Sequence, residues 1–90
     1  MRTLTVLGRR GCHLCDDAVA VLCRLLAEPA FGDVCLEQVD IEFDDALLTA
    51  YLERIPVIVL DGEELYDFFV DEADLRTRLA QDAGSRRPTV

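Results

Sequence analysis

The chain has 90 residues, of which 51% are hydrophobic and 30% charged, and its 18 acidic side chains against nine arginines and no lysine give a net charge of −9. This length and composition predict one globular domain and exclude a disordered chain. The acidic balance disfavours nucleic acid as a partner, because binding to phosphates needs a basic face. The longest uncharged stretch, residues 46–52, is far shorter than the ~20 apolar residues that cross a bilayer, so we expect no membrane partner.

The scarcity of several residue types limits the kinds of catalytic site that the chain can form. A serine-hydrolase triad is disfavoured because the only serine, Ser85, lies near the C-terminus, and the absence of lysine excludes a lysine Schiff base. The four cysteines fall below the ~8% that marks a disulfide-stapled secreted domain, and residues 1–8 lack the apolar run of a signal peptide. We therefore expect a cytoplasmic protein in which cysteines serve chemistry rather than scaffolding.

The first half of the chain predicts a strand, a helix and a second strand. Residues 3–7 are short, β-branched and followed by a glycine, which is typical of a buried strand. Between residues 13 and 27 apolar side chains recur at helical spacing, until Glu28-Pro29 ends the helix. Residues 34–41 then predict a second strand. This succession indicates a right-handed crossover between two parallel strands.

The second half predicts a short helix, a hairpin and a final helix. Asp44 or Asp45 can cap a helix that runs to about residue 53. Residues 57–60 and 63–66 flank Asp61-Gly62, a pair whose tolerance of positive φ suits a hairpin turn, so these two strands should be antiparallel.

Asp71 is predicted to cap the last helix, residues 72–81. Together the elements predict an α/β fold in the order β-α-β-α-β-β-α, with one four-stranded mixed sheet flanked by three helices. Residues 1–82 would form the single domain, and residues 83–90 a flexible C-terminal tail.

Cys12 and Cys15 lie where the first strand gives way to the first helix. A cysteine at the N-cap of a helix meets unpaired amide N–H groups and the positive end of the helix dipole, and both favour the thiolate and lower the pKa of the thiol. Arg9, Arg10 and a protonated His13 would support that thiolate, whereas Asp16 and Asp17 would oppose it, and we expect the lowering of the pKa to prevail. The alternative for His13 is a solvated helix residue without a role at the site. Cys15 follows one turn later on nearly the same face, within reach of Cys12 for a disulfide. The pattern predicts redox chemistry at this pair.

The alternatives for this pair are a metal or cluster site and two inert buried thiols. A structural zinc site needs four ligands, and a second Cys-x-x-Cys or a histidine pair is missing, so we predict no metal site. Cys23 and Cys35 are expected to pack in the core, since free cysteine is among the most buried residue types. The acidic side chains of residues 40–45 are interpreted as helix caps and a solvated rim, because an EF-hand loop needs a glycine and a glutamate that are absent here.

Four short motifs occur in a characteristic order: G-C-H-L-C-D at the start of the first helix, V-D-I at the end of the second strand, I-P-V before the D-G hairpin, and V-D-x-x-x-L in the last helix. This order, over residues 3–81, resembles the small bacterial glutaredoxin-like family of the thioredoxin superfamily. The resemblance implies a thioredoxin-like fold. It also implies a cis Ile55-Pro56 bond beside Cys12, with the backbone of Ile55 pairing to an extended substrate.

The same resemblance implies a glutaredoxin-like thiol-disulfide oxidoreductase. Cys12 would be the nucleophile that attacks a disulfide, and Cys15 would resolve the mixed disulfide and release the reduced substrate. The expected partners are a disulfide-containing protein or a glutathione mixed disulfide, together with a cellular reductant. No bound cofactor is required, and glutathione would enter only as a co-substrate.

The chain departs from the better-known members of the superfamily. Glutaredoxins carry Cys-Pro-Tyr-Cys and, after the hairpin, a Gly-Gly pair that holds glutathione, whereas Phe68 and Phe69 occupy that region here. Asp71 can still offer the N-terminus of its helix to a substrate carboxylate. Two hypotheses from other classes remain: an iron-sulfur cluster bridged by Cys12 of two chains, and a redox-silent adaptor that binds a partner through Phe68 and Phe69.

Overall fold

A computed structural model describes residues 2–85 of the chain. The elements are β1 (Arg2–Gly8), α1 (His13–Leu26), a 3-10 turn (Pro29–Phe31), β2 (Val34–Asp40), a second 3-10 turn (Ile41–Phe43), α2 (Asp45–Tyr51), β3 (Val57–Leu60), β4 (Glu63–Asp67) and α3 (Glu72–Ser85). The predicted order β-α-β-α-β-β-α is confirmed. No helix within this described range is both long and apolar enough to cross a membrane.

Helix α3 differs from the predicted one at its C-terminal end. It continues to Ser85, so it includes residues 83–85, which the sequence assigned to the tail. Residues 81–83 contain no proline or glycine to stop the helix, and a glycine at 84, close to the end, costs only about 1 kcal/mol relative to alanine. Residues 86–90, the rest of the predicted tail, lie outside the described residues.

The four strands form one mixed sheet in the order β2-β1-β3-β4. As predicted, β1 and β2 are parallel, and β3 and β4 are antiparallel. The hairpin turn has positive φ at both central residues, +50° at Asp61 and +90° at Gly62, which is the geometry that matches the twist of paired strands.

Three strand ends meet at one edge of the sheet. β1 runs antiparallel to β3 with Leu7 opposite Val57, and Val57 is in turn opposite Asp67 of β4. The end of β1, the start of β3 and the end of β4 therefore meet at this edge. The loop to α1, Pro56 and Phe68 directly adjoin those three strand ends.

The core has two parts, one on each face of the sheet. The larger part packs α1 and α3 on the sheet, and its fully buried side chains are Leu4, Leu22, Leu25, Ile58, Leu75 and Leu79. The smaller part lies under α2 and centres on Leu7, Ile41 and Val57. Each fully buried side chain of this kind contributes roughly 1.5–3 kcal/mol to stability. Because α1 is anchored so firmly, its N-terminus has a defined place at the sheet edge.

A buried arginine connects the start of β1 to the loop before β2 and to α3. Arg2 is only 3% exposed; its guanidinium donates to both carboxylate oxygens of Asp33, at 3.1 and 3.2 Å, and to the carbonyl of Leu79 at 2.8 Å. These bonds tie the start of β1 to the loop before β2 and to α3.

Candidate redox site

Cys12 and Cys15 form a disulfide at the N-terminus of α1. Their Cα atoms are 5.2 Å apart, within the usual range for a disulfide. Cys12 is the N-cap residue, and its Sγ accepts the backbone N–H of Cys15 at 3.1 Å. Gly11 precedes it with φ of +77°, a conformation that glycine adopts without strain and that turns the chain from the strand into the helix. The predicted position of Cys12 at the helix start is confirmed.

The two cysteines differ in exposure. Cys12 is half-buried, whereas Cys15 is 5% exposed and faces the core. In the oxidised protein, an incoming thiolate would therefore reach the sulfur of Cys12 before that of Cys15. In the reduced protein, a substrate disulfide would also reach Cys12 first.

Gly8, the last residue of β1, makes room for the sulfur of Cys15. A Cβ atom added at Gly8 would lie 2.9 Å from Cys15 Sγ and 3.2 Å from its Cβ. The sequence pattern by itself indicates only that Gly8 ends a strand and does not predict this role. The signal was present, since a glycine at the end of a strand often marks a close approach of another group.

Replacing Gly8 by alanine should destabilise the oxidised protein. Overpacking of this kind costs about 1–3 kcal/mol, and the added methyl group would displace the sulfur of Cys15 from its position in the disulfide, so the disulfide should also close more slowly. Urea denaturation and quenched reoxidation of the Cys12–Cys15 pair measure the two effects.

Gly32→Ala is the matched control. Gly32 has φ of −65°, and a Cβ atom added there would lie at an ordinary contact distance, 3.5 Å from the carbonyl oxygen of Pro29. This variant should be as stable as the original or up to ~1 kcal/mol more stable. Equal stability and equal closure rates for Gly8→Ala and the unaltered protein would refute the role given to Gly8.

The predicted supporting residues lie around the cysteine pair. His13 is the exposed first residue of α1. Arg10 is exposed and, together with Cys15, lines a cavity of about 250 Å³ between α1 and β2. The neighbouring Arg9 lines the same cavity and pairs with Glu42 at 3.0 Å. The structure thus brings Arg10 and His13 to the site, and their support of a thiolate stays a prediction.

Ile55 and Pro56 lie at the same sheet edge. The Ile55-Pro56 peptide bond is cis, as predicted, and Pro56 is buried while Ile55 is half-buried against the smaller core. The carbonyl of Pro56 accepts the N–H of Phe68 at 2.8 Å, which joins this segment to the loop after β4. The proposed pairing of Ile55 with a substrate backbone stays a prediction.

Asp71 occupies the N-cap position of α3. Its side chain accepts the backbone N–H of Asp74 at 3.0 Å, and Asp71 itself is exposed. The predicted cap is confirmed. Its contact with a substrate carboxylate stays a prediction.

Cys23 and Cys35 were expected in the core and are both exposed, so that prediction is wrong. Cys23 follows the buried Leu22, and a step of one residue turns a helix by about 100°, which carries its side chain out of the apolar stripe. Cys35 alternates with Val34 and Leu36, which pack into the larger core, and so it points to the opposite face of the sheet. On that face, α2 covers the end of the sheet at Leu7, Val39 and Val57, and Cys35 lies toward the opposite end of β2.

The acidic residues of the 40–45 segment act mainly as caps, as the sequence indicated. Asp40 accepts the N–H of Glu42 at 2.8 Å at the start of the second 3-10 turn, and Asp44 accepts those of Ala46 and Leu47 at the start of α2. Both carboxylates therefore accept backbone N–H groups as helix caps, and Asp40 also lines the cavity that Cys15 and Arg10 share.

The model of a family described as "Glutaredoxin-like domain (DUF836)" matches residues 3–80. Protein Ne2328 of Nitrosomonas europaea, solved by solution NMR, is 33% identical; the match covers 86% of this chain and 89% of that one, with a TM-score of 0.72. Target protein XcR50 from X. campestris is 38% identical over 87% of this chain and 96% of its own, with a TM-score of 0.68.

More distant structures share the fold. A mutant thioredoxin from Halobacterium salinarum is 24% identical over 89% of this chain and 73% of that one, with a TM-score of 0.62. No curated protein matches this chain.

Proposed function

The chain belongs to the family of glutaredoxin-like domains (DUF836), and on this basis we propose that it is a thiol-disulfide oxidoreductase that works by dithiol exchange through Cys12 and Cys15. The thioredoxin-type fold and the bonded cysteine pair support a redox function. The observation that carries the finer proposal is the position of Cys12 Sγ, which caps α1 and accepts the N–H of Cys15.

In the proposed cycle the Cys12 thiolate attacks one sulfur of a substrate disulfide. The substrate S–S bond breaks, its other sulfur leaves as a thiolate, and a mixed disulfide joins Cys12 to the substrate. Cys15 then loses its proton to solvent and attacks Cys12 Sγ, so that the second substrate sulfur leaves as a thiolate. Two electrons pass from the cysteine pair to the substrate, which gains two protons, and the chain is left with the Cys12–Cys15 disulfide.

The N-terminus of α1 gives Cys12 the first role. In the oxidised state the N–H of Cys15 already points at Cys12 Sγ, and after reduction the same N–H and the helix dipole would stabilise a thiolate there. Arg10 and His13 add positive charge nearby when His13 is protonated. We expect the pKa of Cys12 to lie below that of an unperturbed thiol, as for other cysteines at helix N-termini.

The proposed partners follow from this cycle. The substrate is a disulfide-containing protein or a glutathione mixed disulfide, which would contact Ile55, Pro56 and Asp71. A cellular thiol reductant must return two electrons to the Cys12–Cys15 disulfide, and glutathione is one such thiol. The cycle itself uses no bound cofactor or metal.

Alkylation of the reduced chain against pH tests the first step. Iodoacetamide reacts with the thiolate, so Cys12 should be modified at lower pH than Cys23, an exposed cysteine on the same helix that serves as the internal reference. Peptide mapping by mass spectrometry follows each site separately. A single common pH curve for Cys12 and Cys23 would speak against an activated nucleophile.

A further inference from the structure

An apolar groove opens beside the cysteine pair, between α1 and the loop after β4. Leu14, which lies between the two cysteines in the chain, begins it; the residues that follow on the same face of α1 are Asp17, Ala18 and Val21. Phe68, Phe69 and Val70 form the opposite wall. Leu14 is 50% exposed, Phe68 45% and Phe69 69%. Neighbouring apolar side chains exposed around one groove are typical of an interaction site.

The aromatic wall is held in place rather than loosely attached. Phe68 has φ of +72°, which is strained for a bulky side chain, and Phe69 N–H donates back to the carbonyl of Asp67 at 2.8 Å. The N–H of Phe68 is bonded to Pro56, and Arg54 donates to both oxygens of Asp67, each at 3.1 Å. Strain of this kind persists where the surrounding structure imposes it, often at binding sites.

The size of the groove favours a single side chain as its occupant. Its volume is about 140 Å³, well below the roughly 300–1,000 Å³ of pockets that enclose a whole small ligand. A small anionic tripeptide would leave most of itself outside, whereas a peptide could place one apolar side chain in the groove while its cysteine reaches Cys12.

The charge of the groove favours a basic neighbour. Among the residues that the structure describes, Asp17 is the one charged residue that lines it, and the chain carries a net charge of −9. Asp71, which directly follows Val70 at the start of α3, is exposed as well, whereas Arg9 and Arg10 line the separate cavity between α1 and β2. Opposite charges across an interface speed encounter and select between partners, so a cationic peptide should approach this face faster than an anionic one.

We propose that this groove selects the substrate: it takes an apolar side chain next to the reacting disulfide of a peptide or protein, and Asp17 pairs with a basic residue beside it. The inference rests on the proposed function, because it assigns a substrate class to the same cysteine pair. It predicts that glutathione disulfide, which is anionic and lacks an apolar side chain, is a poor substrate.

The test uses the reduced full chain in single turnovers, so that no added reductant competes. The substrates are symmetrical disulfides of three short peptides that differ only at the two residues beside cysteine: leucine and arginine, glutamine and arginine, or leucine and glutamate. Hydroxyethyl disulfide, which is neutral and has no side chains, reports the chemistry alone. Acid quenching and chromatography give each rate.

The leucine-arginine peptide should be reduced about tenfold faster than the glutamine-arginine peptide, the low end of what one apolar side chain contributes in a pocket, and several-fold faster than the leucine-glutamate peptide. Phe69→Ser should remove most of the preference for leucine, and Asp17→Asn most of the preference for arginine. Phe43→Ser is the control, because Phe43 is 86% exposed and lies outside the groove; both preferences should survive it.

The failures of the two proposals are distinguishable. If hydroxyethyl disulfide and all three peptides are left unreduced, the proposed function fails and the substrate class falls with it. If hydroxyethyl disulfide is reduced but the peptides react equally, or if Phe69→Ser keeps the full preference for leucine, the groove inference alone is overturned. Faster reduction of glutathione disulfide than of the leucine-arginine peptide would overturn it as well.

Discussion

Cys12→Ser is expected to reduce disulfide turnover to the uncatalysed background, because a serine hydroxyl at neutral pH is neither ionised nor able to form the mixed disulfide. Cys15→Ser is expected to leave the first attack intact and to trap the adduct, since the buried resolving sulfur is gone. Peptide mapping by mass spectrometry, after a brief reaction with a peptide disulfide, should locate one substrate half on Cys12 of Cys15→Ser. In Cys12→Ser no cysteine should react faster than the exposed Cys23 and Cys35.

Cys23→Ser is the matched control for this experiment. Cys23 is exposed on the same helix as the pair, so its replacement should change neither turnover nor the trapped adduct. A fully active Cys12→Ser protein would end the proposed mechanism. The competing hypotheses give other results. A bridged iron-sulfur cluster would bring visible absorbance and iron with anaerobically purified protein. A redox-silent adaptor would show no alkylation of Cys12 below the pH at which an ordinary thiol reacts.

Asp33→Asn is expected to cause the largest loss of stability among single conservative changes at polar residues. Arg2 would remain buried at 3% exposure without its counter-charge, and uncompensated buried charges cost several kcal/mol. Because the side chain of Asp33 is 44% exposed, water softens the loss, and we expect about 2–3 kcal/mol from urea denaturation.

Two further variants separate burial from pairing. Glu28→Gln removes the charge from a comparable ion pair, in which Arg76 donates to both carboxylate oxygens of Glu28. Both of these side chains are more than 40% exposed, so the loss of stability should be far smaller than for Asp33→Asn. Arg2→Met removes the buried charge together with its need for a partner, and Asp33→Asn should then add little to it. A loss for Asp33→Asn no larger than that for Glu28→Gln would contradict the role of burial.

Much of the fold could be predicted because its signals are local. The spacing of apolar residues in α1, the aspartate caps of α2 and α3 and the Asp61-Gly62 turn each act within a few residues, and all of them appear in the structure. The crossover between β1 and β2 follows from chain handedness. The position of Cys12 at a helix N-terminus could also be predicted from local sequence, since it depends only on where the helix begins.

The errors concern distances between segments far apart in the chain. Burial of Cys23 and Cys35 was predicted from residue type, but burial depends on which face the helix or strand presents to the other layers. The longer α3 is a local difference instead, because no proline or glycine at residues 81–83 ends the helix before Ser85.

The sequence alone determined the order of elements, the cysteine pair at the N-terminus of α1 and the family to which the motifs belong. Only the tertiary structure decided that β1 lies between β2 and β3, that Gly8 leaves room for Cys15 Sγ, and that Phe68 and Phe69 face Leu14 across a groove. The physical reason is that local signals act through backbone hydrogen bonds a few residues apart. Contacts such as these arise only when the larger and smaller cores pack helices and strands from both halves of the chain together.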